Sequence, residues 1–359
     1  MIAIDGNALT IEQVVRVARD HVLVELAPEA LSGIQASRQL VEEILEAGLP
    51  VYGITTGVGE LASATISADQ GIQLQRNLIR SHSVGVGEPL DEEVARAMIL
   101  LRANALAKGF SGVRTEIIRF LLELLNRKVI PFIPSRGSVG ASGDLAPLAH
   151  LALVLMGEGE CLVDGNRVPS QDVLAEVGLS PLTLQPKEGL ALINGTQLIA
   201  ALGCLATHDA ESLLKTALVA SAMSMEALHG TDKVFDAKIH AARPHPGQIQ
   251  CAATMRKLVA GSEIIASHTD CDKIQDAYTL RCIPQVYGAV LDTIHHAESV
   301  LSIEINSATD NPLVFAETRE VISGGNFHGE PLAFVMDSLG MALAEIANLS
   351  ERTIDRLVN

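Results

Sequence analysis

Tryptophan is missing from this 359-residue chain, and three tyrosines and seven phenylalanines are its only other aromatics. A surface that stacks nucleic-acid bases needs rings in series, so the supply argues against one. Positive charge is short as well. The 26 Lys and Arg stand against 43 Asp and Glu, a formal charge of −17, which argues against a phosphate backbone as partner. The five cysteines, Cys161, Cys204, Cys251, Cys271 and Cys282, are odd in number and scattered, with no CxxC. Reduced thiols in a cytoplasmic protein are expected, with neither a disulfide framework nor a zinc cluster. His295-His296 and His328 have no partners at metal-ligand spacing, so no metal is expected. No run reads as a membrane span; the longest apolar stretch, Leu145 to Met156, is interrupted by Pro147 and His150. The opening MIAIDGNALT lacks a basic n-region and meets Asp5 at once, so no signal peptide is expected.

What is present is helical texture. Hydrophobic types fill 48% of positions and charged types 19%, a folding composition with length for one large domain or two. Apolar positions recur at helical spacing over 92–109, with Asp91 as the expected cap and Gly109 as the stop. Further helices are expected over 33–47, 113–128, 197–229, 285–306 and 330–357. The long Ala/Leu/Met stretches suit a bundle. Strand is limited; ECLVDGNRVPS (160–170) reads as a hairpin around a DGN turn. The fold class is therefore mainly α, with a loop-rich, mixed N-terminal part. A boundary is expected near 195, giving a first domain 1–195 and a long-helix bundle 196–359. Four segments break the helices: 51–60, 134–147, 273–285 and 323–331. Loops on a rigid scaffold are where chemistry usually sits.

The richest of them is Gly137-Ser138-Val139-Gly140-Ala141-Ser142-Gly143-Asp144. It is no P-loop, since no Lys follows, and no nucleophile elbow, since Asp144 stands where GxSxG needs its second Gly. Ala-Ser-Gly permits another reaction. Glycine's amide nitrogen is the least hindered backbone nucleophile. A tight turn that presses Gly143 N onto the Ala141 carbonyl carbon closes a five-membered ring, and loss of two waters leaves an exocyclic methylidene. Small residues are needed for such a fold-back. The plainer alternative is an ordinary turn in which Asp144 caps the helix that starts at Leu145.

Seven further motifs accompany it in order: Tyr52-Gly53-Ile54-Thr55-Thr56-Gly57, Asn77-Leu78-Ile79-Arg80-Ser81-His82, Asn194-Gly195-Thr196, Arg243-Pro244-His245-Pro246-Gly247-Gln248, Gln275-Asp276-Ala277-Tyr278-Thr279-Leu280-Arg281, Asn306-Ser307-Ala308-Thr309-Asp310-Asn311-Pro312 and Gly325-Asn326-Phe327-His328. With these the sequence resembles the histidine/phenylalanine ammonia-lyase family, which makes a 4-methylideneimidazole-5-one (MIO) cofactor from Ala-Ser-Gly. Ser81-His82 and Asn326-Phe327-His328 resemble the histidine branch; 243–248 resembles the aromatic branch as much. Ala277 stands where Pro is usual, Thr279 where Ser is usual, and Val58 where a larger residue is common. Family members continue past the position of Asn359 with helices that supply a glutamate near the substrate, so the chain reads as a shortened form.

The resemblance implies an ammonia-lyase/fumarase-like helical bundle that deaminates L-histidine to trans-urocanate, on an MIO formed from Ala141, Ser142 and Gly143, in a cytoplasmic homotetramer whose sites draw on several subunits. Either the substrate amine or its imidazole ring would add to the methylidene. Tyr52 would be the base. A free phenol holds its proton to about pH 10, so such a base needs positive potential nearby; otherwise Tyr52 is a core residue before a turn. Tyr278 would assist ring formation and proton handling. Arg281 would grip the substrate carboxylate as a fork, or else form a surface ion pair. Asn194 and Gln275 would hydrogen-bond cofactor or substrate, or else backbone. His82 would bind the imidazole and Phe327 would pack beside it, unless both are simply structural. Asp144 would orient the loop. Two alternatives stay open: an aromatic lyase or aminomutase of the same family, and an inert helical assembly with Ala-Ser-Gly uncyclised.

Overall fold

The structure is a computed structural model that describes residues 1–59, 66, 68–268 and 273–359. Glu60 and Cys271 lie outside these, as does the side chain of Ser142. The chain opens with β1 (Ile2–Ile4), α1 (Ile11–Arg19), β2 (Val24–Leu26) and α2 (Leu31–Ala47). It continues with α3 (Ala68–His82), β3 (Val86–Pro89), α4 (Glu92–Ala107), α5 (Thr115–Asn126), β4 (Ile130–Pro131) and β5 (Pro134–Arg136). Then come α6 (Leu145–Leu155), β6 (Glu160–Val163), β7 (Asn166–Pro169), α7 (Ser170–Glu176), α8 (Glu188–Ile193) and the long α9 (Gln197–Ala227). The remainder is α10 (Ala237–Ala241), α11 (Pro246–Leu258), α12 (Glu263–Ala266), α13 (Tyr278–Arg281), α14 (Ile283–Glu304), β8 (Leu313–Phe315), β9 (Glu320–Ile322) and α15 (Glu330–Val358).

Local chemistry sets several ends. Thr10 and Gln13 close a capping box on α1. Gly109, at φ 83°, follows the end of α4 as expected. Asp91 stands at the N-cap of α4, yet its side chain makes no cap bond. The DGN hairpin is β6–β7, with Asp164 and Gly165 both at positive φ, as a two-residue turn requires. The strands are short and occur in separate small sheets: β1 with β2 in parallel, and β3–β5, β4–β6–β7 and β8–β9 antiparallel.

The chain divides into two units, Met1–Leu205 with Leu301–Ala333, and Ala206–Val300 with Phe334–Asn359. The first is built around α4, buried on every side. That burial includes Arg96, which donates to Val17 O and Leu125 O, carbonyls near the C-terminal ends of α1 and α5. Such orphan carbonyls need partners. The second unit has one apolar core that includes Leu214, Phe235, Met255, Tyr287 and Leu339. Burial pushes the thiols of Cys161, Cys204 and Cys251 up to about 12. Two helical stretches, Glu188–Ala227 and Glu330–Val358, are long and apolar enough to cross a bilayer. The first has 78% of its apolar window buried inside the protein and the second 28%.

Candidate functional site

The glycine-rich loop lies between β5 and α6. Its centre, Gly140–Ser142, is a single 3-10 turn closed by Gly143 N–H donating to Gly140 O at 2.9 Å. Gly140 has φ 63°. Gly143 has φ 112° and ψ 174°, a region essentially restricted to glycine. Around this turn the chain supplies tethers from far away in sequence. Gly195 O accepts Asp144 N–H at 3.1 Å, and Ala141 O accepts Gly329 N–H at 2.8 Å. A Cβ placed on Gly143 would lie 3.6 Å from Gly195 O and 3.8 Å from Phe327 O. The loop, the Asn194-Gly195 turn and the Phe327–Gly329 segment therefore meet at one place.

Asp144 organises the loop differently from the sequence expectation. It is fully buried, and it makes no side-chain cap bond to α6. Its Oδ2 instead accepts the amides of Leu198 and Ile199 at 2.8 and 3.1 Å, capping α9. Its Oδ1 accepts Ser138 Oγ–H at 2.6 Å, and Ser138 Oγ accepts Gly140 N–H at 3.1 Å. Burial pushes the Asp144 carboxyl upward, while these donors pull the other way.

Asn194 ends α8, and its Nδ2 donates to Asn311 O at 3.2 Å. Gly195 has no alternative residue: a Cβ there would meet Gln197 Oε1 at 2.2 Å and Arg102 Nη1 at 2.5 Å. The 309–312 corner is clamped by groups the sequence reading did not single out. Lys187 Nζ pairs with Asp310 Oδ2 at 2.7 Å, with side-chain exposures of 0% and 1%. Arg102 donates to Gln197 Oε1, Thr309 O and Ala191 O. Burial holds Lys187 below the ordinary lysine range and Arg102 down to about 10. The signal available in sequence was a Lys-Glu pair directly ahead of the apolar GLALI, which only a partner inside the protein would tolerate.

Tyr52 is half-buried, and its hydroxyl oxygen accepts Gly59 N–H at 3.2 Å. A Cβ on the adjacent Gly53 would meet Leu190 of α8 and Pro312, so the turn after Tyr52 backs onto those two residues. His82 closes α3, with Nδ1 at 2.9 Å from Leu78 O. A carbonyl only accepts, so Nδ1 carries hydrogen and Nε2 of the neutral ring is the acceptor. After His82 the chain enters β3, which pairs with β5 at the mouth of the loop. The other three predicted residues belong to the second unit. Gln275 is exposed and lines a cavity of about 670 Å³ with Thr231, Lys273 and Asp276. Tyr278, 63% exposed, begins α13. Arg281 Nε donates to Asp276 O at 2.9 Å.

With this geometry in place, three comparisons bear on identity. The family model described as aromatic amino acid lyase matches residues 9–359. A histidine ammonia-lyase of Caldanaerobacter subterraneus subsp. tengcongensis is 55% identical over 358 residues, covering 100% of this chain and 70% of that protein. Among solved structures, tyrosine aminomutase from Streptomyces globisporus is similar with a TM-score of 0.94 at 44% identity, covering 100% of this chain and 71% of that one. Histidine ammonia-lyase from Trypanosoma cruzi gives 0.91 at 42%, covering 100% and 68%.

Proposed function

This chain belongs to the aromatic amino acid lyase family, and from that premise we propose that it is a histidine ammonia-lyase, converting L-histidine to trans-urocanate and ammonia. The observation that carries the reading is the Ala141-Ser142-Gly143 turn. Gly143 takes a conformation open to glycine, its amide is folded back onto Gly140 O, and among the described residues beyond its chain neighbours the nearest atom to its Cβ position, Gly195 O, stands 3.6 Å away. These residues fit an MIO ring made in place. When formed, that group supplies a carbon electrophile that makes the substrate's nitrogen a competent leaving group.

The chain's own residues do the remainder. Tyr52 takes the β-proton, the freed electron pair becomes the C=C bond of urocanate, and ammonia departs. Gly59 N–H donates to the Tyr52 oxygen, which holds the ring in one orientation for that transfer. His82 presents Nε2 as an acceptor for an imidazole N–H. Phenylalanine and tyrosine have no ring N–H to offer it, which favours histidine. Asn194 is held by Asn311 O through Nδ2, leaving its Oδ1 to accept from the substrate amine, and Phe327 packs against the ring. Arg281 binds the carboxylate, Gln275 adds a hydrogen bond, and Tyr278 assists ring formation and proton handling. The enzyme works in the cytoplasm as a homotetramer. Exposed Leu213, Val219 and Met223 on α9 and Met341 on α15 support oligomer contacts.

A second reading, an aminomutase, is supported by the 44% identity to the Streptomyces enzyme. One assay separates them. L-Histidine is expected to give the ultraviolet absorbance of urocanate and a Ser142→Ala chain none. β-Tyrosine from L-tyrosine, with no urocanate from histidine, would overturn the proposal.

A further inference from the structure

We propose that the backbone N–H of Gly329 is the catalytic donor for ring closure, activating the carbonyl of Ala141. The inference rests on the reading that Ala141-Ser142-Gly143 cyclises. Gly329 N donates to Ala141 O at 2.8 Å. In a 3-10 turn that carbonyl's ordinary partner is the amide three residues on, here Asp144 N. Asp144 N is drawn off to Gly195 O at 3.1 Å. The one carbonyl that must become electrophilic is thereby released from its own turn and handed to a distant donor.

That donor is fixed in place. Gly329 is buried, and its carbonyl accepts the amides of Leu332 and Ala333 at 3.0 Å, so its orientation is set by the first turn of α15. It sits at the positive end of that long helix. A Cβ at 329 would lie 3.3 Å from Thr196 Cγ2 and 3.7 Å from Ala141 Cα, so the peptide is packed directly against the reacting residue.

The step balances without any outside reagent. Gly143 N bonds to Ala141 C, and the carbonyl electron pair moves onto oxygen, where Gly329 N–H meets the developing charge. The proton of Gly143 N passes to that oxygen. The oxygen leaves as water with the proton of Ser142 N, which creates a C=N bond. The Ser142 hydroxyl and Cα proton leave as the second water. A donor aimed at a developing oxyanion is worth about 10²–10³ in rate.

The test follows the intact mass of the full chain during cell-free synthesis. Replacing Gly329 by glycolic acid through an acylated suppressor tRNA exchanges N–H for an ester oxygen with little change of shape. Gly329→Pro removes the same hydrogen genetically, and Gly329→Ala keeps it. The unmodified chain and Gly329→Ala are expected to lose two waters at similar rates. The ester and Gly329→Pro chains are expected to retain both waters on the order of 10²-fold longer, with melting temperature reporting that each has folded. A folded ester chain that loses its waters as fast as the unmodified chain overturns the role of Gly329 alone. An unmodified chain that never loses them overturns the cyclisation reading itself.

Discussion

Gly143 is the residue on which the candidate site turns, and its constraint is conformational more than steric. At φ 112° and ψ 174° any side chain is strained, although the nearest atoms leave room for a methyl group. Gly143→Ala should cost about 1–3 kcal/mol, read as a lower melting temperature, and its intact mass should keep both waters. His150 makes a different prediction. Its Nε2 accepts Gly85 N–H at 3.1 Å beside the loop, and burial holds the ring below its ordinary 6.5. Below 6.5 the unfolded chain binds a proton at this ring that the folded chain refuses. Stability is therefore lost as pH falls through that window, and the loss levels off once the lowered folded value is passed. His150→Gln keeps an acceptor without a titration, so its melting temperature should fall less between neutral pH and about 5 than that of the unmodified chain. At this scale the sequence singled out Ala-Ser-Gly and its companion motifs as candidates. It did not reveal which partner each would take. Asp144 reads as a cap for the adjacent α6 but caps α9, because a carboxylate finds whichever free amides the fold brings nearest.

Among elements, the junction of α8, α9 and the 309–312 corner concentrates buried charge. Lys187 and Asp310 are an ion pair without solvent, and Lys187 sits at φ 79° at the start of α8. Lys187→Met strands the carboxylate and should cost about 3–5 kcal/mol, whereas Lys187→Met combined with Asp310→Asn should recover part of that loss. Denaturant midpoints of both single variants and the double variant measure the coupling; single costs that simply add in the double variant would show the two groups to be uncoupled. Helix positions were largely legible because apolar spacing is local: the runs over 33–47, 197–229 and 330–357 correspond to α2, α9 and α15 within a few residues. The small sheets were not, apart from the β6–β7 hairpin. Two- to four-residue strands such as β3 and β5, paired across 45 residues of chain or more, are too short to show an alternating pattern. For the Lys187–Asp310 pair the sequence signalled only that Lys187 precedes an apolar run and needs a partner; nothing local pointed to Asp310 as that partner.

For the whole molecule, the comparison that matters is between a 38.0 kDa chain and the assembly proposed for it. Sedimentation velocity should give four chains per particle, and a stable monomer at working concentration would remove the oligomer from the proposal. Composition had little to say about this, because exposed apolar side chains on a helix look the same in sequence as buried ones; only their accessibility, as at Met223 and Met341, marks a candidate contact. The tether between Gly329 and Ala141 has a consequence for biosynthesis. The nucleophile and the carbonyl it attacks emerge from the ribosome early, but the peptide that grips that carbonyl is encoded far downstream. A nascent chain interrupted before that point lacks the donor and, on the proposal above, is expected to close its ring on the order of 10²-fold more slowly, so the order of translation acts as a safety catch that delays the reactive carbon until the scaffold around it has been delivered.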